Sequence, residues 1–275
     1  MTAEDPSRQD VLVGRPADHV CEILLNRPNR ANALSGRLLD QLLGALDDAV
    51  GDPDVRVVVL GGQGRGFCGG YDIEPRPDPI EEPALEEEIT RLQASLERIL
   101  RVWGCSKPVI ARLHGYCLAG GLELAMACDL VVAATDVRIG FAPVRAQGIP
   151  PFMIYPWLMG MRQAKRFLWT GDELDGIKAE ALGLVNMAVS PASLEAETMK
   201  LAKRIALMDG ELLTLSKRAI HRSYEAAGFI ESVSVGAEFD ARGHFTASAR
   251  QFAAIAREQG LKAALDWRDG PYRAD

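Results

Sequence analysis

The chain has 275 residues, 48% of them hydrophobic and 25% charged, and a formal net charge of -7. This is globular composition able to bury a core, which excludes a disordered chain, and the acidic balance argues against nucleic acid as a partner, since such binders carry a basic face. Five cysteines, Cys21, Cys68, Cys105, Cys117 and Cys128, form no C-x-x-C pair and read as reduced thiols; with a polar start over residues 1–10 and no apolar stretch near the roughly 20 residues that span a bilayer, a cytoplasmic protein with no membrane partner is expected.

Residues 19–25 read as the first strand, and Ser35 as the cap of a helix carrying Leu39, Leu42, Leu43, Leu46 and Val50 at helical spacing. Residues 55–60 form a β-branched run without alternation, as in a strand covered on both faces, and lead into Gly61, Gly62, Gly64 and Gly66. Acids and prolines over residues 74–83 make an exposed connection before Leu85, Ile89, Leu92, Leu96, Ile99 and Trp103 resume helical spacing. The acidic run at residues 86–88 reads as a solvated helix face. Residues 108–113 are another short strand and residues 120–128 a buried helix, so strand, turn and helix recur three times. Short strands continue through residues 130–139, followed by helical segments at 164–170 and at 175–182, where Asp175 is the cap. From Ser193 the pattern is helical only, around Leu201 and Ile205, then over residues 212–220 and 251–265. The expected division is a core over residues 1–192 and a helical region over 193–275 that packs on the core or on a neighbouring subunit.

Gly64-Arg-Gly-Phe-Cys-Gly69 matches the G-x-G-x-x-G fingerprint of dinucleotide sites and follows a strand. Such a site needs a helix to open on those glycines, and Pro75, Pro77 and Pro79 forbid one. What the loop can do is turn sharply at Gly69 and Gly70 and leave the N–H of Tyr71 unpaired. A second glycine segment, Cys117-Leu-Ala-Gly-Gly-Leu-Glu-Leu124, opens a helix near Gly120, where unpaired N–H groups face outward and Glu123 falls in the first turn. Taken alone, those glycines serve close packing as readily as function. Together the two segments can supply two donors to an oxyanion and one carboxylate to move a proton.

With both segments in view, the sequence resembles the crotonase family, also called the enoyl-CoA hydratase/isomerase superfamily. Three stretches carry the resemblance: Leu25-Asn-Arg-Pro-Asn-Arg-Ala-Asn-Ala-Leu34, Gly66-Phe-Cys-Gly-Gly-Tyr-Asp-Ile73, and the segment from Lys107 through His114-Gly-Tyr-Cys-Leu-Ala-Gly-Gly-Leu-Glu-Leu to Asp129. It continues through Thr170-Gly-Asp to Ala181-Leu-Gly-Leu-Val185 and covers most of residues 15–190. The resemblance implies an α/β spiral of β-β-α turns with a C-terminal helical region that packs between subunits in a homotrimer or a dimer of trimers. It implies an acyl-CoA substrate, with coenzyme A as part of that substrate and no metal or redox cofactor. Carried over by position, the thioester oxygen is held by the backbone N–H groups of Tyr71 and Gly120, and Glu123 activates water or takes the α-proton. Asn29, Arg30, Ala31 and Ala33 line the CoA groove, joined by Gly69, Gly70, Asp72 and Ile73. Arg30 can meet a CoA phosphate, or serve as a solvated surface arginine.

One position departs from the pattern. Hydratases of this family use two carboxylates, and where the pattern Pro-Glu-x-x-x-Gly-x-Pro places the second, this chain reads Pro143-Val144-Arg145-Ala146-Gln147-Gly148-Ile149-Pro150. Valine cannot donate a proton. Three readings follow: hydration of a 2-enoyl-CoA, a one-base reaction such as double-bond migration, or acyl-CoA binding with little turnover. Tyr71 reads as a residue that shapes the acyl pocket or packs outward rather than as the replacement acid, and Asp72 as a turn residue. Arg145 and Gln147 are handles for a polar acyl group or exposed surface. Cys68 reads as structural, and the four dispersed histidines, His19, His114, His221 and His244, suggest no metal site.

Overall fold

The computed structural model describes residues 9–72 and 83–273. Its elements run, in chain order, β1 Val11–Ala17, β2 Val20–Leu25, α1 Gly36–Gly51, β3 Val57–Gly62, α2 Leu85–Trp103, β4 Val109–Leu113, β5 Tyr116–Leu118 and α3 Gly120–Met126. They continue with β6 Leu130–Ala134, β7 Arg138–Gly140, α4 Tyr155–Thr170, α5 Gly176–Ala181 and β8 Met187–Val189. Five helices follow: α6 Leu194–Ile205, α7 Gly210–Ala226, α8 Phe229–His244, α9 Ala247–Gln259 and α10 Leu261–Asp269.

Among the described residues six strands form one sheet in the order β1-β2-β3-β4-β6-β8, with β1 antiparallel to β2 and the rest parallel. A second, small sheet pairs β5 with β7, and the bridge between Cys68 and Cys117 extends it. The chain therefore winds as a spiral: β3, the Cys68 bridge, then α2; β4, β5, then α3; β6, β7, then the helices that follow. Val57, Val58, Val59 and Leu60 are all buried, because helices and the small sheet cover both faces of β3; hence the unalternated run.

Ser35 caps α1 as expected, its Oγ accepting the Leu38 N–H, and Leu39, Leu42, Leu43 and Leu46 are buried beneath it. Val50, read with that face, sits in the last turn and is exposed. Four elements escaped the sequence reading, among them the three-residue strand β8 that closes the sheet beside β6. The edge strand β1 carries Gly14 and Pro16 and an outward Val13, which break the periodicity of a strand while being tolerated at a sheet edge. The strand β5 is only three residues long. The helix α8 buries Phe229, Val233, Ala237 and Ala241, a narrow stripe at four-residue spacing whose alanines carry little hydrophobic signal.

Candidate active site

Two loops leave the carboxyl ends of parallel strands and are tied side by side. The Leu118 N–H donates to Cys68 O at 3.0 Å and the Cys68 N–H to Tyr116 O at 3.2 Å. On the other flank the Gly69 N–H donates to Ala31 O at 2.8 Å and the Leu34 N–H to Gly70 O at 2.8 Å. Buried Asn32 fastens the base of this assembly: its amide nitrogen donates to the carbonyls of Gln63, Gly66 and Phe67, and its Oδ1 accepts the Arg27 N–H at 2.8 Å. Each of those backbone groups is inside, so a side-chain amide is what satisfies them.

The predicted residues accordingly gather. Ala31, Ala33, Gly69, Gly70 and Tyr71 lie together, and a Cβ on Gly70 would stand 3.6 Å from the Gly120 nitrogen. Asn29 and Arg30 are exposed on the short turn Pro28–Arg30 beside them. Asp72 takes a structural part: its Oδ2 accepts from buried Arg27 at 2.6 Å, and Arg27 also donates to Ala33 O. Ile73 lies outside the described residues. Among the described residues, neither the Tyr71 N–H nor the Gly120 N–H donates to another protein group. Ala119, which precedes Gly120, is held at φ 49° and ψ -125°, a strained conformation for a residue with a side chain. Its N–H is fixed by Gly140 O at 2.9 Å, and its carbonyl accepts from Leu122 and Glu123, so the strain holds the Gly120 N–H in one direction.

Glu123 is fully buried. Its Oε1 accepts the Phe152 N–H at 2.8 Å and its Oε2 accepts the Tyr71 hydroxyl at 3.1 Å. Burial dominates and pushes its carboxyl up to about 8, against the two hydrogen bonds that favour the anion; the nearby Asp240 carboxylate adds to the rise. Tyr71 therefore points inward, and the outward alternative is excluded. Its ring lies on Gly120, where an added Cβ would come within 2.5 Å of Cε2, so only glycine permits this packing. Burial and Glu123 hold the phenol well above its ordinary range, so it stays protonated. A cavity of about 410 Å³ opens on Tyr71 and Gly120; Glu123 sits behind the Tyr71 ring and meets the cavity through that hydroxyl.

The acidic run of α2 is split by the helix. Glu86 and Glu87 are exposed, but Glu88 is buried and lines the cavity, correcting the reading of a uniformly solvated face. It holds Arg91 through two bonds of 2.5 and 2.8 Å and the His244 Nδ1 at 2.5 Å, and these partners lower its carboxyl to about 2. Asp240, 5% exposed, joins His244 on the same cavity. Sequence reading missed both α8 residues, and the signal available was their four-residue spacing beside the stripe at 229, 233, 237 and 241. Val144 does not line the cavity: its Cγ2 lies 3.1 Å from where a Cβ on Gly171 would be. Arg145 belongs to neither of its expected roles, because it donates to Thr170 O and Gly171 O, pairs with Asp269 and stacks on Tyr272, anchoring the end of the chain. Gln147 does face the cavity, with its Oε1 taken by Arg268 at 2.7 Å. Cys68 is buried, its thiol pushed up to about 12 by desolvation, which makes it inert as a nucleophile and fits its structural reading.

Comparison with known proteins identifies the family and the fold. The family model described as enoyl-CoA hydratase/isomerase matches residues 15–250. A solved enoyl-CoA hydratase from Mycobacterium smegmatis superposes with a TM-score of 0.89 at 32% identity, over 96% of this chain and 94% of that one. A monofunctional enoyl-CoA isomerase from M. smegmatis gives 0.66 at 30% identity, over 80% of this chain and 96% of that one. The hydroxycinnamoyl-CoA hydratase-lyase of Pseudomonas fluorescens is 31% identical over 215 residues, 76% of this chain and 77% of that protein. The spiral, the paired glycine loops and these matches together show that the chain belongs to the enoyl-CoA hydratase/isomerase family, the crotonase superfamily.

Proposed function

We propose that the protein hydrates a 2-enoyl-CoA, with the thioester oxygen held by the N–H groups of Tyr71 and Gly120 and the α-proton supplied through Glu123. The observation that carries the reading is the buried Glu123 carboxyl, bonded to Tyr71 immediately beside two backbone donors without protein partners. Adding a nucleophile to a carbon conjugated with a thioester sends negative charge to the thioester oxygen. Donors fixed in place before that charge develops lower the barrier, and one such donor is worth roughly 2.7–4 kcal/mol. Because the Tyr71 hydroxyl stands between Glu123 and the cavity, the proton moves as a relay: in the protonated carboxyl Oε2 donates to the phenol oxygen, reversing the bond that Tyr71 makes to the anion, and the phenol gives its proton to the α-carbon as Glu123 gives its own to the phenol. Tyr71 is never ionised on that path, in keeping with a phenol held above its ordinary range. These are proton transfers alone and call for no metal or redox cofactor; coenzyme A enters as part of the substrate, along the groove of Asn29, Arg30, Ala31 and Ala33.

A second reading, double-bond migration with Glu123 as the one base, is favoured by Val144 in place of the second carboxylate and by the likeness to an isomerase. A panel of 2-enoyl-CoA and 3-enoyl-CoA thioesters separates the two. Loss of the conjugated-thioester absorbance with formation of the 3-hydroxyacyl product is the expected result, while interconversion of the two alkenes without water uptake would establish the isomerase. Binding with no turnover of either series would overturn both.

The same reading makes the protein a homotrimer or a dimer of trimers. Leu212, Leu215 and Ile220 leave an apolar strip exposed on α7, which an assembly would cover. Light scattering in dilute solution is expected to give three or six times the chain mass, and a monomeric mass would refute the assembly. Five unpaired, buried cysteines suit a reducing compartment such as the cytoplasm. Among the described residues no helix is long and apolar enough to cross a membrane.

A further inference from the structure

Hydration moves two protons, one off the attacking water and one onto the α-carbon, and Val144 can carry neither. The cavity holds side chains that can. Asp240 and His244 stand one turn apart on α8, on the face that meets the cavity lined by Tyr71 and Gly120. Gly236, a turn earlier, brings the helix this close: a Cβ there would lie 2.5 Å from Pro151 O. One turn on, the Asp240 carboxylate reaches the Gly148 backbone and accepts the Ile149 N–H. His244 Nδ1 is clamped to Glu88 at 2.5 Å, leaving Nε2 facing Asp240 Oδ1 at 3.5 Å. Arg91, Glu88, His244 and Asp240 thus form a chain of alternating charge that runs from α2 to α8 and ends on a carboxylate at the cavity wall.

We propose that Asp240 is the second carboxylate of the reaction, the base that takes a proton from the attacking water, and that His244, fixed by Glu88, is the residue that positions it. The inference rests on the hydratase reading given above. In the forward step the water oxygen bonds to the β-carbon while one of its protons passes to Asp240, and the π electrons of the alkene move onto the thioester oxygen. The enolate collapses as the α-carbon takes the proton relayed from Glu123 through Tyr71. The proton on Asp240 then returns through solvent to the Glu123 carboxylate, so the enzyme is restored and only water has been consumed.

Environment separates the two carboxyls as these roles require. The groups facing Asp240 are His244 on its own helix, Glu88 and Arg91 from α2, the Ile149 N–H, Glu123 from α3 and the Tyr71 phenol. Burial outweighs the nearby cations and raises Asp240 to about 6, whereas Glu123 is raised to about 8. Between those values Asp240 is ionised, as a base must be, and Glu123 is protonated, as an acid must be. Hydration is therefore expected to rise with pH as Asp240 ionises and fall as Glu123 loses its proton.

The test compares two reactions of the full-length protein: hydration of a 2-enoyl-CoA, and exchange of the α-hydrogens of a saturated acyl-CoA in deuterated water, which needs Glu123, Tyr71 and the two backbone donors but no second carboxylate. Asp240→Asn is expected to cut hydration by about 10²–10⁴-fold and to change the exchange by far less, through the loss of the Asp240 charge near Glu123 alone. His244→Gln keeps the carboxylate but removes its neighbouring cation, so the acidic arm of the kcat/KM profile moves to higher pH, by about one unit. Hydration untouched in Asp240→Asn, an equal loss in both reactions, or an unmoved acidic arm in His244→Gln overturns this inference and leaves the hydratase reading standing. Exchange by the parent protein without hydration of any enoyl-CoA overturns both. Should Asp240→Asn fail to fold, the His244→Gln profile decides.

Discussion

Replacing Glu123 by Gln is expected to lower kcat by about 10²–10⁴-fold, the usual worth of a positioned proton carrier, while making the protein more stable. The amide keeps the shape and both hydrogen bonds, with Oε1 accepting from Phe152 and the amide nitrogen donating to a turned Tyr71 hydroxyl. What it removes is a carboxyl whose folded value, about 8, lies well above the unfolded value near 4.3. In that window the unfolded state ionises while the folded state keeps its proton, so the parent loses stability as pH rises through it and levels off above about 8. The variant has no such loss. Its advantage in melting temperature should be a few degrees at most at pH 5 and reach on the order of 10 °C by pH 8. Calorimetry at both ends of the window reads this directly; a difference that does not depend on pH would show that burial does not hold Glu123 neutral, and an undiminished rate would remove it from the reaction.

Gly120→Ala is the second large effect. The new methyl meets the Tyr71 ring at 2.5, 2.6 and 3.0 Å, contacts that force the ring to move. The phenol then loses its bond to Glu123, and the Gly120 N–H shifts from the position that the strained Ala119 gives it. We expect kcat to fall by about 10²–10³-fold, as for the loss of one oxyanion donor, and the melting temperature by about 5 °C, in line with the cost of overpacking a core. Adding Tyr71→Ala removes the clash, so the double variant should regain stability without regaining rate. A double variant as active as the parent would deny both the relay through Tyr71 and the directed Gly120 donor.

The site was unevenly legible, and the reason differs by residue. The positions of Tyr71, Gly120 and Glu123 stood out because two glycine-bearing segments, read together, can each offer a backbone donor, and a glutamate falls in the first turn of the second. Where the Tyr71 side chain points could not be read, since that depends on the bare Cα of Gly120, 49 residues away, and on the carboxyl behind it. Arg145 looked like a ligand contact because an isolated charge in a loop carries no mark of its partners, and the C-terminal segment claims it; Asp72 does line the cavity, but its bond to buried Arg27 could not be read. Glu88 was hidden by its neighbours Glu86 and Glu87, whose exposed face made the whole run look solvated.

The sequence by itself determined the strand, turn and helix order of the spiral, the helical character of the C-terminal region, the two glycine loops and the absence of a glutamate at position 144. Those properties are written in neighbouring residues: hydrophobic period, capping side chains and glycine placement act within a few positions of themselves. Only the tertiary structure decided that Glu88 and His244, 156 residues apart, are in contact, that Asp240 stands at the same cavity as Tyr71, and that Glu123 is buried behind a phenol. The ionisation of Asp240 and Glu123 follows from that assembly, because desolvation is set by everything packed around a carboxyl rather than by the residues beside it in the chain.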